Sequence, residues 1–119
     1  MNILVIEDNE LNMKLFNDIL KYLNYNVDCA YDGLEGFNKI KENNYNLIIL
    51  DIQLPKLNGF DLLDKLKTEN IKTPEIIIVS ACAMDCDKQK AKEYNIDTYI
   101  TKPIDIKNFL NIVKSKLDA

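Results

Sequence analysis

The stretch "LIILDIQLP", residues 47–55, decides the fold. Residues 47–50 suit a strand buried on both faces, yet they run straight into Asp51, and Pro55 keeps a helix from starting at once. A carboxylate ending a buried strand calls for a chemical reason. Four other short apolar runs, "ILVI" (3–6), "NVDCA" (26–30), "IIIV" (76–79) and "TYIT" (98–101), alternate with stretches of helical spacing. That alternation predicts βα units around a parallel sheet, five strands and five helices in one doubly wound α/β domain. The runs at 3–6, 47–50 and 76–79 are apolar throughout and belong at the centre, whereas "NVDCA" mixes in polar residues and reads as an edge. The strand order 2-1-3-4-5 follows. Right-handed crossovers then bring the strand ends to one rim, where ligands sit at the point of reversal.

At 119 residues the chain is the size of one domain, and no apolar run approaches the ~20 residues that span a bilayer. Residue 1 leads directly into the first strand without a signal-peptide pattern, so a soluble, cytoplasmic protein is expected. Cys29, Cys82 and Cys86 are odd in number and lack CxxC spacing, which fits reduced thiols. A net charge of -4 argues against a nucleic-acid or membrane partner and for protein partners. The chain has no His and no Arg. Imidazole bases, imidazole metal ligands and nucleophilic triads built on His are therefore excluded, and carboxylates, hydroxyls and lysines must carry the chemistry.

The acids gather at the rim. "ILVIEDNE" leaves the first strand at Glu7 and Asp8, and the neighbouring third strand ends at Asp51. Three carboxylates brought together raise one another's pKa values unless a cation sits among them, and hard oxygen donors suit Mg2+. Alternatively, Glu7 and Asp8 cap the first helix and Asp51 sits in a turn; convergence of all three favours the metal. Ser80 at the end of the fourth strand adds a hydroxyl and Lys102, before Pro103, an ammonium. Three carboxylates, one Mg2+ and one lysine sum to about zero charge at neutral pH. Such a set makes an aspartyl phosphate: Asp51 attacks a phosphoryl group while the metal, Lys102 and Ser80 absorb charge on its oxygens. Gly59 is expected to supply a left-handed turn before the third helix.

These residues together resemble the receiver domains of two-component response regulators. The match spans residues 1–119: the acidic pair Glu7 and Asp8, Asp51 with "LP" and "NG" after it, Ser80 followed by the small Ala81, and "KP" at Lys102 and Pro103. "EDNELNMKLF", "DIQLP" and "KPI" are similar to single-domain cell-cycle regulators within that family. The resemblance implies a flavodoxin-like fold and a phosphoacceptor, rather than an enzyme, that takes its phosphoryl group from a sensor histidine kinase or a histidine phosphotransferase. It implies Mg2+ held by Asp8, Asp51 and the Gln53 carbonyl with Glu7 acting through water, a cis Lys102–Pro103 peptide, Gln53 and Cys82 at lifetime-tuning positions, and a switch formed by Ser80 and Tyr99.

No effector domain is expected after Leu117, so output is expected from a surface. "DCDKQKAKEY" in the fourth helix has few apolar residues, mainly Ala91 and Tyr94, and is expected to be weakly held; helix four, strand five and helix five would bind a downstream protein. The first helix carries a wide apolar arc, and Leu11 or Met13 is expected to dock the phosphodonor unless the whole arc packs inward. Two other readings stand beside this one, a receiver-like adaptor that binds without phosphorylation and a Mg2+-dependent aspartyl-phosphate phosphatase. A flavodoxin-type phosphate binder fits less well, because "EDNE" repels an anion that brings no metal.

Overall fold

The computed structural model describes residues 2–54, 56–80, 85–96, 98–102 and 104–118, the side chains of 85–88 and 118 apart. The expectations for Pro55, Ala81, Cys82, the Cys86 side chain and Pro103, including the cis peptide, lie outside these residues. Strands and helices alternate strictly: β1 (Asn2–Ile6), α1 (Glu10–Tyr22), β2 (Asn26–Ala30), α2 (Gly33–Glu42), β3 (Leu47–Asp51), α3 (Gly59–Thr68), β4 (Glu75–Ser80), α4 (Asp85–Glu93), β5 (Thr98–Thr101) and α5 (Ile106–Asp118). The sheet is parallel with order β2-β1-β3-β4-β5, as the sequence pattern predicts.

Alternation of side chains along each strand divides the core in two. Leu4, Ile6, Ile48, Leu50 and Ile78 face α2 and α3, where Phe37, Ile40, Phe60, Leu63 and Leu66 cover them. Ile3, Val5, Ile49, Ile77 and Val79 face α1 and α5, under Phe16, Leu20, Phe109 and Val113. The Phe16 and Phe109 rings meet at 5.3 Å between centroids, joining α1 to α5. Burial on both faces is why β1, β3 and β4 read as unbroken apolar runs, and the half-exposed β2 is indeed an edge.

Asparagine sets many of the turns. Asn9 and Asn58 cap α1 and α3 by accepting the amides of Asn12 and Asp61, and Asp32 does the same for α2 with Glu35. Asn24, Asn70 and Asn95 follow α1, α3 and α4 with φ of 65, 55 and 61°, the left-handed conformation that asparagine tolerates best after glycine. Gly59 does not have a positive φ, contrary to the sequence expectation; Lys56, at φ 66°, takes the left-handed position in that loop. What Gly59 supplies is closeness, since a Cβ there would lie 2.8 Å from the Ile52 Cα and 2.9 Å from the Asp51 carbonyl oxygen.

Gly33 is tighter still. A Cβ at this position would stand 1.7 Å from the Leu57 carbonyl oxygen, so the start of α2 is pressed against the β3–α3 loop. At Gly36 the nearest atom is the flexible Ile6 Cδ1, at 2.6 Å. Gly33→Ala is predicted to cost about 3 kcal/mol, because backbone must move, and Gly36→Ala about 1 kcal/mol. Urea unfolding of the two variants measures the difference; equal losses would contradict the rigid contact.

Candidate functional site

The strand ends deliver the chemistry. Among the described residues the buried polar side chains are Glu7, Asp51 and Ser80, and all three stand at or just past the C-terminal end of a central strand. The Glu7 amide donates to the Ala30 carbonyl at 3.0 Å, which extends the β1 ladder by one residue and fixes that side chain under the rim. Asp51 is the last residue of β3, paired in register with Val79. The Lys102 amide donates to the Ser80 carbonyl at 2.8 Å, so the chain leaving β5 is tied to the end of β4 before the lysine side chain reaches inward.

Lys102 is the hub. Its Nζ donates to Glu7 Oε1 at 3.0 Å, to Glu7 Oε2 at 3.1 Å and to Asp51 Oδ2 at 3.0 Å. The other Asp51 oxygen, Oδ1, accepts the Gln53 amide at 3.0 Å, and Asn12 Nδ2 donates to Glu7 Oε1 at 3.1 Å. Carboxylate oxygens of Glu7, Asp8 and Asp51 lie within 4.8 Å of one another, Asp8 being the exposed member. The capping role considered for Glu7 and Asp8 falls to Asn9 instead.

Charge governs the site. Burial raises the pKa of Glu7 to about 7; the neighbouring Asp51 carboxylate pushes the same way, and together they outweigh the bonds from Asn12 and Lys102. Burial alone would lower the Lys102 pKa, but its bonds to Asp51 and Glu7 win and raise it, so the ammonium stays charged. Formally, three carboxylates and one ammonium leave two negative charges in a space one divalent ion fits. The donors are all hard oxygens, without His or Cys, which suits Mg2+. Asp8, Asp51 and Glu7 are the groups brought together that could hold it.

The remaining predicted residues divide. Ser80 ends β4 and pairs with Thr101, and Tyr99 on β5 is half-buried against the core below α3 and α4. Gln53 is exposed. Leu11 is 79% exposed in the first turn of α1, available as a docking residue. Met13 is not: it is 2% exposed, packed under α1 in the same cluster as Phe16 and Leu20, so a partner cannot reach it. The apolar arc of α1 thus turns Met13 inward and Leu11 outward. Sequence reasoning missed Asn12, whose only signal was its place in the helical turn following the acidic pair.

Between pH 4.5 and about 7 the folded protein holds a proton on Glu7 that the unfolded chain has released. The stability this group contributes is complete below pH 4.5 and is lost as pH rises through about 7. In EDTA, the native protein is therefore predicted to lose stability relative to Glu7→Gln between pH 5 and pH 8, by up to about 3 kcal/mol. Urea midpoints across that range measure it; a difference independent of pH would show that Glu7 titrates normally.

This geometry has counterparts. The model of the response regulator receiver domain matches residues 3–114. The polar-differentiation response regulator DivK of Brucella ovis is 36% identical over 117 residues, covering 98% of this chain and 95% of its own. A two-component response regulator from Clostridium difficile superimposes with a TM-score of 0.92 at 28% identity, covering 99% of this chain and 96% of that one. The receiver domain of a Pseudomonas aeruginosa sensor histidine kinase, solved with a magnesium ion coordinated in its active-site cleft, superimposes with a TM-score of 0.87 at 25% identity, over 99% and 98% of the two chains. With this match across nearly its whole length and the acidic cluster at the predicted strand ends, the chain belongs to the response regulator receiver domains of two-component signalling.

Proposed function

We propose that this receiver, spanning residues 1–119, accepts a phosphoryl group on Asp51 from the phosphohistidine of a sensor histidine kinase or histidine phosphotransferase. The observation that carries the reading is the Asp51 carboxylate itself: 3% exposed at a strand end, with Lys102 Nζ at 3.0 Å and two further acids beside it. The absence of His from the chain agrees, since the donor imidazole must come from a partner. The magnesium in the Pseudomonas relative's cleft supports Mg2+ as cofactor here, held by Asp8, Asp51, the Gln53 carbonyl and Glu7. When bound, the ion supplies positive charge to the phosphoryl oxygens.

Asp51 then forms an O–P bond as the N–P bond of the donor breaks, and the electron pair returns to the imidazole nitrogen. Lys102 holds its ammonium against Asp51 and Glu7 and so keeps the nucleophile oriented and its charge balanced. Ser80 donates its hydroxyl to a phosphoryl oxygen, and Tyr99 follows it into the space so vacated, shifting the face formed by α4, β5 and α5. α4 suits such a shift, because Ala91 is the one described α4 residue in the buried core, while Tyr94, just beyond it, bonds to Asp64 and stacks on Phe60. A downstream protein would read that face. A role in cell-cycle or cell-division control rests on the resemblance of the sequence to single-domain cell-cycle regulators, beside a relative that is a polar-differentiation response regulator, and Leu11 serves as a docking contact for the donor. The protein acts as a cytoplasmic phosphoacceptor, not as an enzyme on other substrates.

Incubation with acetyl phosphate and Mg2+ is expected to add the mass of one PO3 unit to the native protein and none to Asp51→Asn, read by intact-protein mass spectrometry. Lys102→Ala is expected to retain metal binding but lose at least tenfold in rate, in keeping with loss of one preorganised charge. A native protein that never gains the added mass would refute the reading.

A further inference from the structure

The approach to the aspartate has its own architecture. A cleft of about 500 Å3 opens beside the acidic cluster between the residues after β1, the β3–α3 loop and α4. Asp8, Gln53, Asn58, Phe60, Asp61 and Lys90 are among its lining. Lys90 is the one cation among the described residues that line it.

This lysine is exposed, yet it is seated. Its Nζ lies 4.8 Å from the centroid of the Phe60 ring, where the ring face attracts an ammonium. Phe60 is 6% exposed and stacks on Tyr94 at 6.1 Å and 21°, and the Tyr94 hydroxyl donates to Asp64. The cation is thereby held at the mouth of the cleft rather than left to sweep through solvent. Asp8 and Asp61 line the same cleft. A phosphodonor entering this cleft is an anion, and of the described residues that line it Lys90 alone carries a charge that attracts it, in addition to Lys102 and the Mg2+ at the site itself.

We infer that this cleft is the port through which a small acyl phosphate reaches Asp51, and that Lys90 is its positioning residue, selecting for the more highly charged donor. The inference rests on the proposed phosphoacceptor role of Asp51. The transfer balances without a proton or an oxidant: Asp51 forms an O–P bond as the P–O bond to the acyl group breaks, and the electron pair leaves with the carboxylate product. Lys90 touches none of the bonds that change. It acts by raising the local concentration of the donor and aligning it, so its effect belongs in the apparent KM and in the salt dependence.

The test follows phosphorylation of Asp51 by mass, in excess Mg2+, with acetyl phosphate and with phosphoramidate, which carries less charge. Lys90→Gln and Lys90→Met are both expected to raise the apparent KM for acetyl phosphate about threefold to tenfold at low salt, with the maximal rate unchanged. The Met variant keeps the apolar stem over Phe60, which separates lost charge from lost packing. The deficit should be smaller with phosphoramidate and should vanish in about 0.5 M salt, where charges are screened within a few ångströms. Lys90→Arg should restore the native values. Lys92→Gln, which removes a charge from an exposed α4 residue outside the cleft lining, should change nothing. Native kinetics in both neutral variants, an equal loss in Lys92→Gln, or a loss indifferent to salt would overturn the role of Lys90 while leaving Asp51 as phosphoacceptor. If the native protein gains no phosphoryl group at Asp51, the inference falls together with that reading.

Discussion

One ammonium shared between two buried carboxylates organises this molecule. Lys102 spans from the end of β5 to Asp51 on β3 and Glu7 just past β1, crossing the end of β4 on the way. That span needs the strand order β2-β1-β3-β4-β5, in which the chain ends of β1 and β3 are neighbours. It also needs three apolar strands rigid enough to hold charge under the rim. A buried carboxylate deprived of its cation costs roughly 3–5 kcal/mol, so the pairs are maintained by the same core they burden. Even so, one lysine leaves two negative charges uncompensated when Asp8 is counted, while burial first, and the Asp51 carboxylate after it, hold the Glu7 pKa up.

The loop that follows Asp51 is built to stay clear of it. Gln53 turns back at once to donate to the aspartate, and the Gly59 amide donates to the Ile52 carbonyl at 2.8 Å, closing the loop behind the site. Lys56 pairs with Asp32 at 3.5 Å, and Gly33 lets Leu57 sit against the start of α2. The Lys56–Asp32 pair is too exposed on the lysine side to contribute much by itself, but the backbone contact beside it is rigid. The result is an open cleft over Asp8 and Gln53, framed on its far side by Phe60 and Lys90.

Most of the architecture was readable in the chain because its signals are local or periodic. Unbroken apolar runs marked β1, β3 and β4 as central, and the acids at residues 7, 8 and 51 followed from where those runs stop. What escaped reading depends on packing in three dimensions. Met13 and Leu11 both belong to the wide apolar arc of α1 yet stand about 160° apart around the helix, and packing on the sheet and α5 buries the first while the second is exposed. Gly59 reads as a turn glycine, yet its demand is the nearness of Ile52 rather than a positive φ. The many asparagines, which carry no function by composition, turn out to cap helices at both ends. Asn12 and the seat of Lys90 on Phe60 join residues whose proximity no spacing rule encodes.

The acids around Lys102 are proposed to form a site for one divalent cation. A crystal soaked in Mn2+, whose anomalous scattering locates the ion, tests it most directly. A single strong peak ligated by Asp8 and Asp51 is expected, with Lys102 still bonded to the Asp51 carboxylate. A structure in which the manganese binds elsewhere, or binds only after Lys102 has left Asp51, would contradict it.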